Sequence, residues 1–155
     1  KKAECLADIK GHILTSIQIK NKIVLQDPSE QGIRKILNYG HTLGHAIESY
    51  FLENEVKDTL LHGEAIAIGM ILEGYLSNKV SGLKQSTLED IKTTFLNHYE
   101  KIGFSEGDNS SILELMKYEK KNSQGKVNFV LLKSIGEDVV DVEIPTELFA
   151  DALAY

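Results

Sequence analysis

The sequence predicts a mainly α-helical bundle domain with one small β-hairpin near its C-terminus, on three observations. Apolar residues recur at helical spacing as far as Lys120. Two S-x-x-E stretches, Ser86 to Glu89 and Ser111 to Glu114, have the form that starts helices. From Val127 onward the pattern changes to a β-prone run followed by an alternating one.

In order along the chain, Ile9, Ile13, Leu14, Ile17, Ile23 and Val24 predict one or two helices over about residues 1–26, with Gly11 as a possible break. Asp27-Pro28-Ser29 ends that segment, because the residue before a proline is pushed out of the α region. A second helix is expected over about residues 30–51. Glu53 to Asp58 is a polar loop. A third helix spans about Gly63 to Lys79, where Ala65, Ile66, Ile68, Met70, Leu72 and Leu76 give a wide apolar face. Its small residues, Gly63, Ala65, Ala67 and Gly69, predict close contact with another helix, and Ser81-Gly82 closes it. Ser86 is expected to cap a helix running to about Ile102, and Ser111 a shorter one to about Lys120. Val127 to Leu132 and Val139 to Ile144 pair as a hairpin around Gly136. Thr146 caps a last helix, Glu147 to Ala154.

Composition bounds the function. A chain of 155 residues, 42% hydrophobic and 26% charged, is by length a single domain able to bury a core. A net charge of −6 and a pI near 5.4 argue against a nucleic-acid surface, yet leave room for a local cationic cluster that holds a small anion. The single cysteine, Cys5, excludes an internal disulfide and a cysteine-based zinc site, and reads as a small buried apolar residue. Every apolar run is short and interrupted by charge, so no signal peptide, membrane span or membrane partner is expected, and the default location is cytoplasmic. The chain opens in a helical pattern without an initiator Met and contains little linker-like sequence, so a fragment is expected.

The stretch that concentrates chemistry is Gly32 to Ile47. Arg34, Asn38, His41 and His45 are spaced i, i+4, i+7 and i+11, which on one helix places them within an arc of roughly 60°. Ile33, Ile36, Leu43, Ile47 and Tyr50 fall on other sides, and Gly40 and Gly44 leave a strip without side chains. His41 and His45 form an H-x-x-x-H pair, and His62 stands at the expected start of the third helix, in Leu61-His62-Gly63-Glu64. Two or three imidazoles with a carboxylate suit zinc or a similar divalent ion. The metalloprotease form is excluded, because Thr42 stands where that motif needs a glutamate. His12 and His98 have no such company and read as solvated or structural. Lys126 follows Gly125 within a basic run that begins at Lys120, and Lys20 sits among apolar residues, so that Lys20, Arg34 and Lys126 together form a candidate anion grip. Glu48 and Glu64 are candidates for orienting the histidines or capping helix termini, with capping preferred for Glu64.

Ile19-Lys20 with Asp27, Gly32-Ile33-Arg34, Leu37-Asn38-Tyr39-Gly40-His41-Thr42-Leu43-Gly44-His45-Ala46-Ile47-Glu48 and Leu61-His62-Gly63-Glu64-Ala65 resemble the C-terminal domain of the 3-dehydroquinate synthase family. Lys120-Lys121-Asn122, Gly125-Lys126 and Phe129 to Leu132 continue the likeness. The resemblance implies a shikimate-pathway lyase that turns 3-deoxy-D-arabino-heptulosonate 7-phosphate into 3-dehydroquinate and phosphate, using NAD⁺ and zinc or another divalent ion such as cobalt. It implies His41 and His62 as metal ligands, with His45, Asn38 and Lys126 toward the substrate phosphate. Lys20 and Arg34 match the grip on the substrate carboxylate, a planar partner that suits a guanidinium. Spacing alone would pair His41 with His45 on the metal; the resemblance assigns His45 to the substrate.

It further implies an N-terminal NAD-binding α/β domain in the same protein and a homodimer at full length. No glycine-rich dinucleotide loop follows a strand in this chain, and nothing before His41 matches the A-E-x-x-K segment that supplies the family's glutamate ligand. The isolated chain is therefore expected to be inactive. The alternatives are a related sugar-phosphate cyclase, a metal-dependent polyol dehydrogenase, a non-enzymatic helical binding module with structural histidines, and a regulatory remnant.

Overall fold

The structure, a computed structural model, describes residues 2–122 and 127–155. It divides into two compact units, Lys1–Leu37 and Asn38–Tyr155.

The first unit is dominated by α1 (Lys2–Gln26), a single helix that continues through Gly11. Asp27 ends it and organises the turn beyond. Its carboxylate accepts the backbone N–H groups of Gly32 at 2.7 Å and of Gln31 and Arg34 at 3.1 Å each. A short acidic side chain that gathers N–H groups in this way caps the start of the 3₁₀ turn Ile33–Asn38.

The second unit holds α2 (His41–Glu53), α3 (His62–Val80), α4 (Gln85–Leu96), α5 (Glu106–Asn122), the hairpin β1 (Asn128–Ser134) and β2 (Glu137–Glu143), and α6 (Glu147–Ala154). Its core is built from Leu43 and Ile47 of α2, Leu76 of α3, Ile112 of α5 and Phe129 and Leu131 of β1, all fully buried. Helix α3 is the central post, packing on α2, α4, β1 and α6. Burying apolar side chains at roughly 25 cal/mol per Å² is what holds these elements together.

The closest approach lies between α2 and α3. A Cβ on Gly69 of α3 would overlap the Gly40 carbonyl oxygen, and one on Gly44 of α2 would lie 3.2 Å from the Ala65 carbonyl. The small-residue strip expected from the sequence is real at Gly40, Gly44 and Gly69; Gly63 meets nothing. Ser77 ties the hairpin to α3: its hydroxyl donates to the Glu73 carbonyl and accepts the Leu132 N–H at 2.9 Å. The hairpin is antiparallel, turns at Gly136 (φ +84°) and carries a bulge where Val140 and Asp141 face Val130.

The helical fold with its late hairpin matches the expected class, but three boundaries differ. The helix expected over residues 30–51 is two elements, because Gly40 adopts φ +82° and no α-helix continues through that conformation. Gly40 cannot relax, since its Cα is pressed against α3, where a Cβ would meet the Met70 backbone nitrogen at 2.9 Å. Arg34 and Asn38 are therefore not on the helix of His41 and His45. Ser86 is not a cap: α4 begins at Gln85, and it ends at Leu96 rather than near Ile102. Helix α5 begins at Glu106 instead of Ser111, because Ser105 and Asp108 exchange reciprocal bonds, N–H to Oδ2 at 2.7 Å and N–H to Oγ at 3.2 Å. That is a capping box one turn and more upstream of the one expected.

Candidate metal centre

Helix α2 opens with His41 and carries His45 one turn later, so both rings leave the same face; α3 opens with His62 beside them. Ring centroids are 5.3 Å apart for His41 and His45, 6.0 Å for His41 and His62, and 5.8 Å for His45 and His62. One ring nitrogen from each lies within 4.8 Å of the other two. Tetrahedral zinc with Zn–N bonds of about 2.0–2.1 Å holds its nitrogens roughly 3.3 Å apart, so rotamer adjustments of about an ångström close the trio on an ion. His41 is half-buried while His45 and His62 are exposed, which keeps a face open to a substrate.

The partners of these rings fix their tautomers. His41 Nδ1 lies 3.3 Å from the Tyr39 carbonyl, and His62 Nδ1 lies 2.9 Å from Glu48 Oε2. Neither oxygen can donate, so both contacts call for a proton on Nδ1, which in a neutral ring places the lone pair on Nε2. A carboxylate behind a histidine is the usual support of a metal ligand. Glu48 takes this outer role, whereas Glu64 caps α3 by accepting the Leu61 N–H at 2.8 Å. The donor set therefore fits a divalent ion of the zinc type.

The start of α2 rests on a residue that pattern reading missed. Glu73 of α3 is fully buried, and its two carboxylate oxygens accept the N–H groups of Gly40 at 2.7 Å and Leu43 at 3.1 Å. Burial pushes its pKa up to about 8, against the opposing pull of these N–H donors. Burial, with the nearby Glu73 carboxylate, also raises the Tyr39 phenol far above its ordinary value; its hydroxyl donates to the Met70 carbonyl at 2.8 Å. The available signal was a lone acid in an apolar stretch, Met70-Ile71-Leu72-Glu73-Gly74-Tyr75-Leu76.

At the far end of α2 a second polar cluster is closed on itself. Asp108 accepts from Tyr50 Oη at 2.5 Å and from Lys57 Nζ at 2.6 Å, and Asn54 donates to Tyr50 Oη at 3.0 Å. Burial works against ionising Asp108, but the bonds from Lys57, Tyr50 and Ser105 outweigh it and hold the carboxyl well below its usual range.

The remaining expected site residues are distributed differently. Lys20, exposed on α1, and Arg34 belong to the first unit. Arg34 is engaged with its own loop: Nη1 donates to the Pro28 carbonyl at 2.8 Å, and Nε lies 3.4 Å from Glu30. Asn38 closes the 3₁₀ turn. Lys126 lies outside the described residues. His12 and His98 are exposed, as expected.

By architecture the chain shares its fold with part of two larger synthases. It superposes on a crystal structure of 2-deoxy-scyllo-inosose synthase complexed with carbaglucose-6-phosphate, NAD⁺ and Co²⁺ with a TM-score of 0.78 at 23% identity, over 96% of this chain and 41% of that one. A 2-epi-5-epi-valiolone synthase from Streptomyces hygroscopicus subsp. jinggangensis 5008, with NAD⁺ and Zn²⁺ bound, gives 0.68 at 20% identity over 90% of this chain and 37% of that one. The chain belongs to the 3-dehydroquinate synthase C-terminal family, whose model matches residues 2–122. The 3-dehydroquinate synthase of Parabacteroides distasonis is 39% identical over 141 residues, covering 90% of this chain and 39% of that protein. That of Listeria welshimeri is 41% identical over 134 residues, covering 86% and 35%. The chain thus spans about two fifths of the length of the curated relatives it matches.

Proposed function

We propose that the chain is the metal- and substrate-binding part of a 3-dehydroquinate synthase, which converts 3-deoxy-D-arabino-heptulosonate 7-phosphate into 3-dehydroquinate and phosphate. The observation that carries this reading is the convergence of His41, His45 and His62 inside the family-matched region. In it, His41 and His62 hold a divalent ion, zinc or cobalt, through Nε2, and Glu48 keeps the His62 ring in place. When bound, the ion would supply Lewis-acid polarisation of a substrate hydroxyl, and NAD⁺ would supply the capacity to accept a hydride. His45 turns toward the phosphate with Asn38 and Lys126, and Lys20 and Arg34 grip the carboxylate. A second domain of the same protein, of α/β type, supplies the NAD⁺ site, and the whole works as a cytoplasmic homodimer. Among the described residues no helix is long and apolar enough to cross a membrane.

Identity of 34–41% to 3-dehydroquinate synthases, against 20–24% to the cyclases that make other carbocycles, favours the substrate with a carboxylate. In the intact protein, His62→Ala is expected to lower bound metal and turnover together; full turnover with full metal content would refute the assignment. The isolated chain is expected to show no turnover above a His41→Ala control. One observation supports a second reading of His45. It stands as near His62 as His41 does, which suits a third ligand as well as a phosphate donor. His45→Ala separates the two. Retained metal with a raised KM supports the phosphate role, and lost metal supports ligation.

A further inference from the structure

We propose that Glu73 is the positioning residue of the metal pair: by holding the first turn of α2, it sets where His41 stands relative to His62. The proposal rests on the reading that His41 and His62 share an ion.

The first backbone N–H groups of a helix have no partner inside the helix, and burying them without one is costly. In α2 no side chain at the N-terminus supplies a cap, and the preceding residue is Gly40. The cap comes instead from α3, 33 residues along the chain, where the two oxygens of Glu73 each take a separate N–H. Two bonds from one rigid carboxylate, to residues on either side of His41, fix both the height and the rotation of the helix start. His62 belongs to the same helix as Glu73. The carboxylate therefore references one ligand helix directly to the other, with no loop in between. The glycine contact at Gly40 and Gly69 sets how close the helices come, but a contact without side chains does little to stop rotation or sliding. Glu73 supplies that constraint. Ligand placement within about half an ångström is what tight metal binding demands, so this constraint bears on affinity and not only on folding.

The test uses Co²⁺ as the probe in the intact protein, reading affinity by chelator competition and geometry by the visible d–d bands. Glu73→Met keeps the chain length and apolar packing but strands both N–H groups. It is expected to weaken Co²⁺ binding about tenfold or more and to alter the d–d bands. Glu73→Gln, whose amide oxygen accepts one of the two bonds, is expected to recover affinity to within about threefold of wild type. Leu153→Ala, a buried change on α6, is the control for lost stability and is expected to leave affinity within about twofold. Equal Co²⁺ affinity and unchanged bands in Glu73→Met overturn the proposal. So does a weakening no larger than that of Leu153→Ala at matched loss of Tm. If Glu73→Met does not fold, Glu73→Asp decides the question, because its shorter chain keeps the carboxyl group but cannot span both donors. A tenfold loss supports the proposal, and affinity within twofold of wild type overturns it. A wild-type protein that binds no Co²⁺ sinks the metal reading and this inference together, whereas binding that ignores residue 73 sinks only the inference.

Discussion

Helix α2 is anchored at each end by a buried carboxylate, and the two behave oppositely. Glu73, at the start, accepts hydrogen bonds from backbone N–H groups, and burial raises its pKa to about 8. Asp108, at the end, meets a lysine and a tyrosine hydroxyl, and its pKa is driven down. The difference shows what each end is for. The Asp108 cluster joins its polar groups to one another and fastens the loop after α2 to α5. The Glu73 end spends its polar groups on the backbone, so the imidazoles outside remain available for chemistry.

The contrast can be broken most severely where the two ligand helices touch. Gly69→Val puts branched carbon against the Gly40 carbonyl, a backbone atom that cannot swing away. A loss of about 4 kcal/mol or more is expected, read as a collapse of the thermal or urea transition, with metal binding lost alongside.

The two carboxylates also predict opposite pH dependence. Glu73 has a folded pKa raised from 4.5 to about 8, so the folded state binds the extra proton. Its contribution is fully present below the unfolded value and is lost as pH rises toward 8, by roughly 3 kcal/mol between pH 4.5 and 7. Asp108 has a depressed folded pKa, so its contribution is present above the unfolded value and is lost as pH falls through and below it. Urea titrations of metal-free protein across pH 3–9 are expected to show both limbs. Glu73→Gln should flatten the alkaline limb and leave the acid limb intact; the reverse result would mean that the two roles are misassigned.

Removing Asp108 sharpens the comparison further. Asp108→Ala takes away the acceptor of the buried Tyr50 hydroxyl and leaves Lys57 without its anion, for an expected cost of about 2 kcal/mol. Metal affinity should stay within about twofold, because no histidine leans on that cluster. The smallest effect is a capping pair. Ser105→Ala should cost about 1 kcal/mol and Ser86→Ala less than about 0.5, since only Ser105 caps a helix.

That last pair shows where sequence reading stops. Both serines precede an acid by three residues, and local pattern cannot rank Ser86 and Ser111 below Ser105, because the choice is made by Asp108 meeting Lys57 and Tyr50. The hairpin and α6 were legible because their signals are local: alternation, a turn glycine and the strand propensities. The imidazole trio was legible because i, i+4 spacing and a helix start at His62 need only two short segments. The break at Gly40 was not, since the contact that leaves no room for a Cβ there comes from Met70, thirty residues away. The contacts of Arg34 with the Pro28 carbonyl and Glu30 of its own loop were not legible either, because they depend on the turn that Asp27 organises. Glu73 stayed hidden for the same reason as Gly40: burial of a carboxylate is a tertiary fact.

The most direct measurement is metal content by elemental analysis of the intact protein and its His41→Ala, His62→Ala and His45→Ala variants, purified alike. One equivalent of zinc or cobalt in the wild type, with most of it lost in both His41→Ala and His62→Ala, is the predicted result. Undiminished metal in either of those two variants would contradict the account.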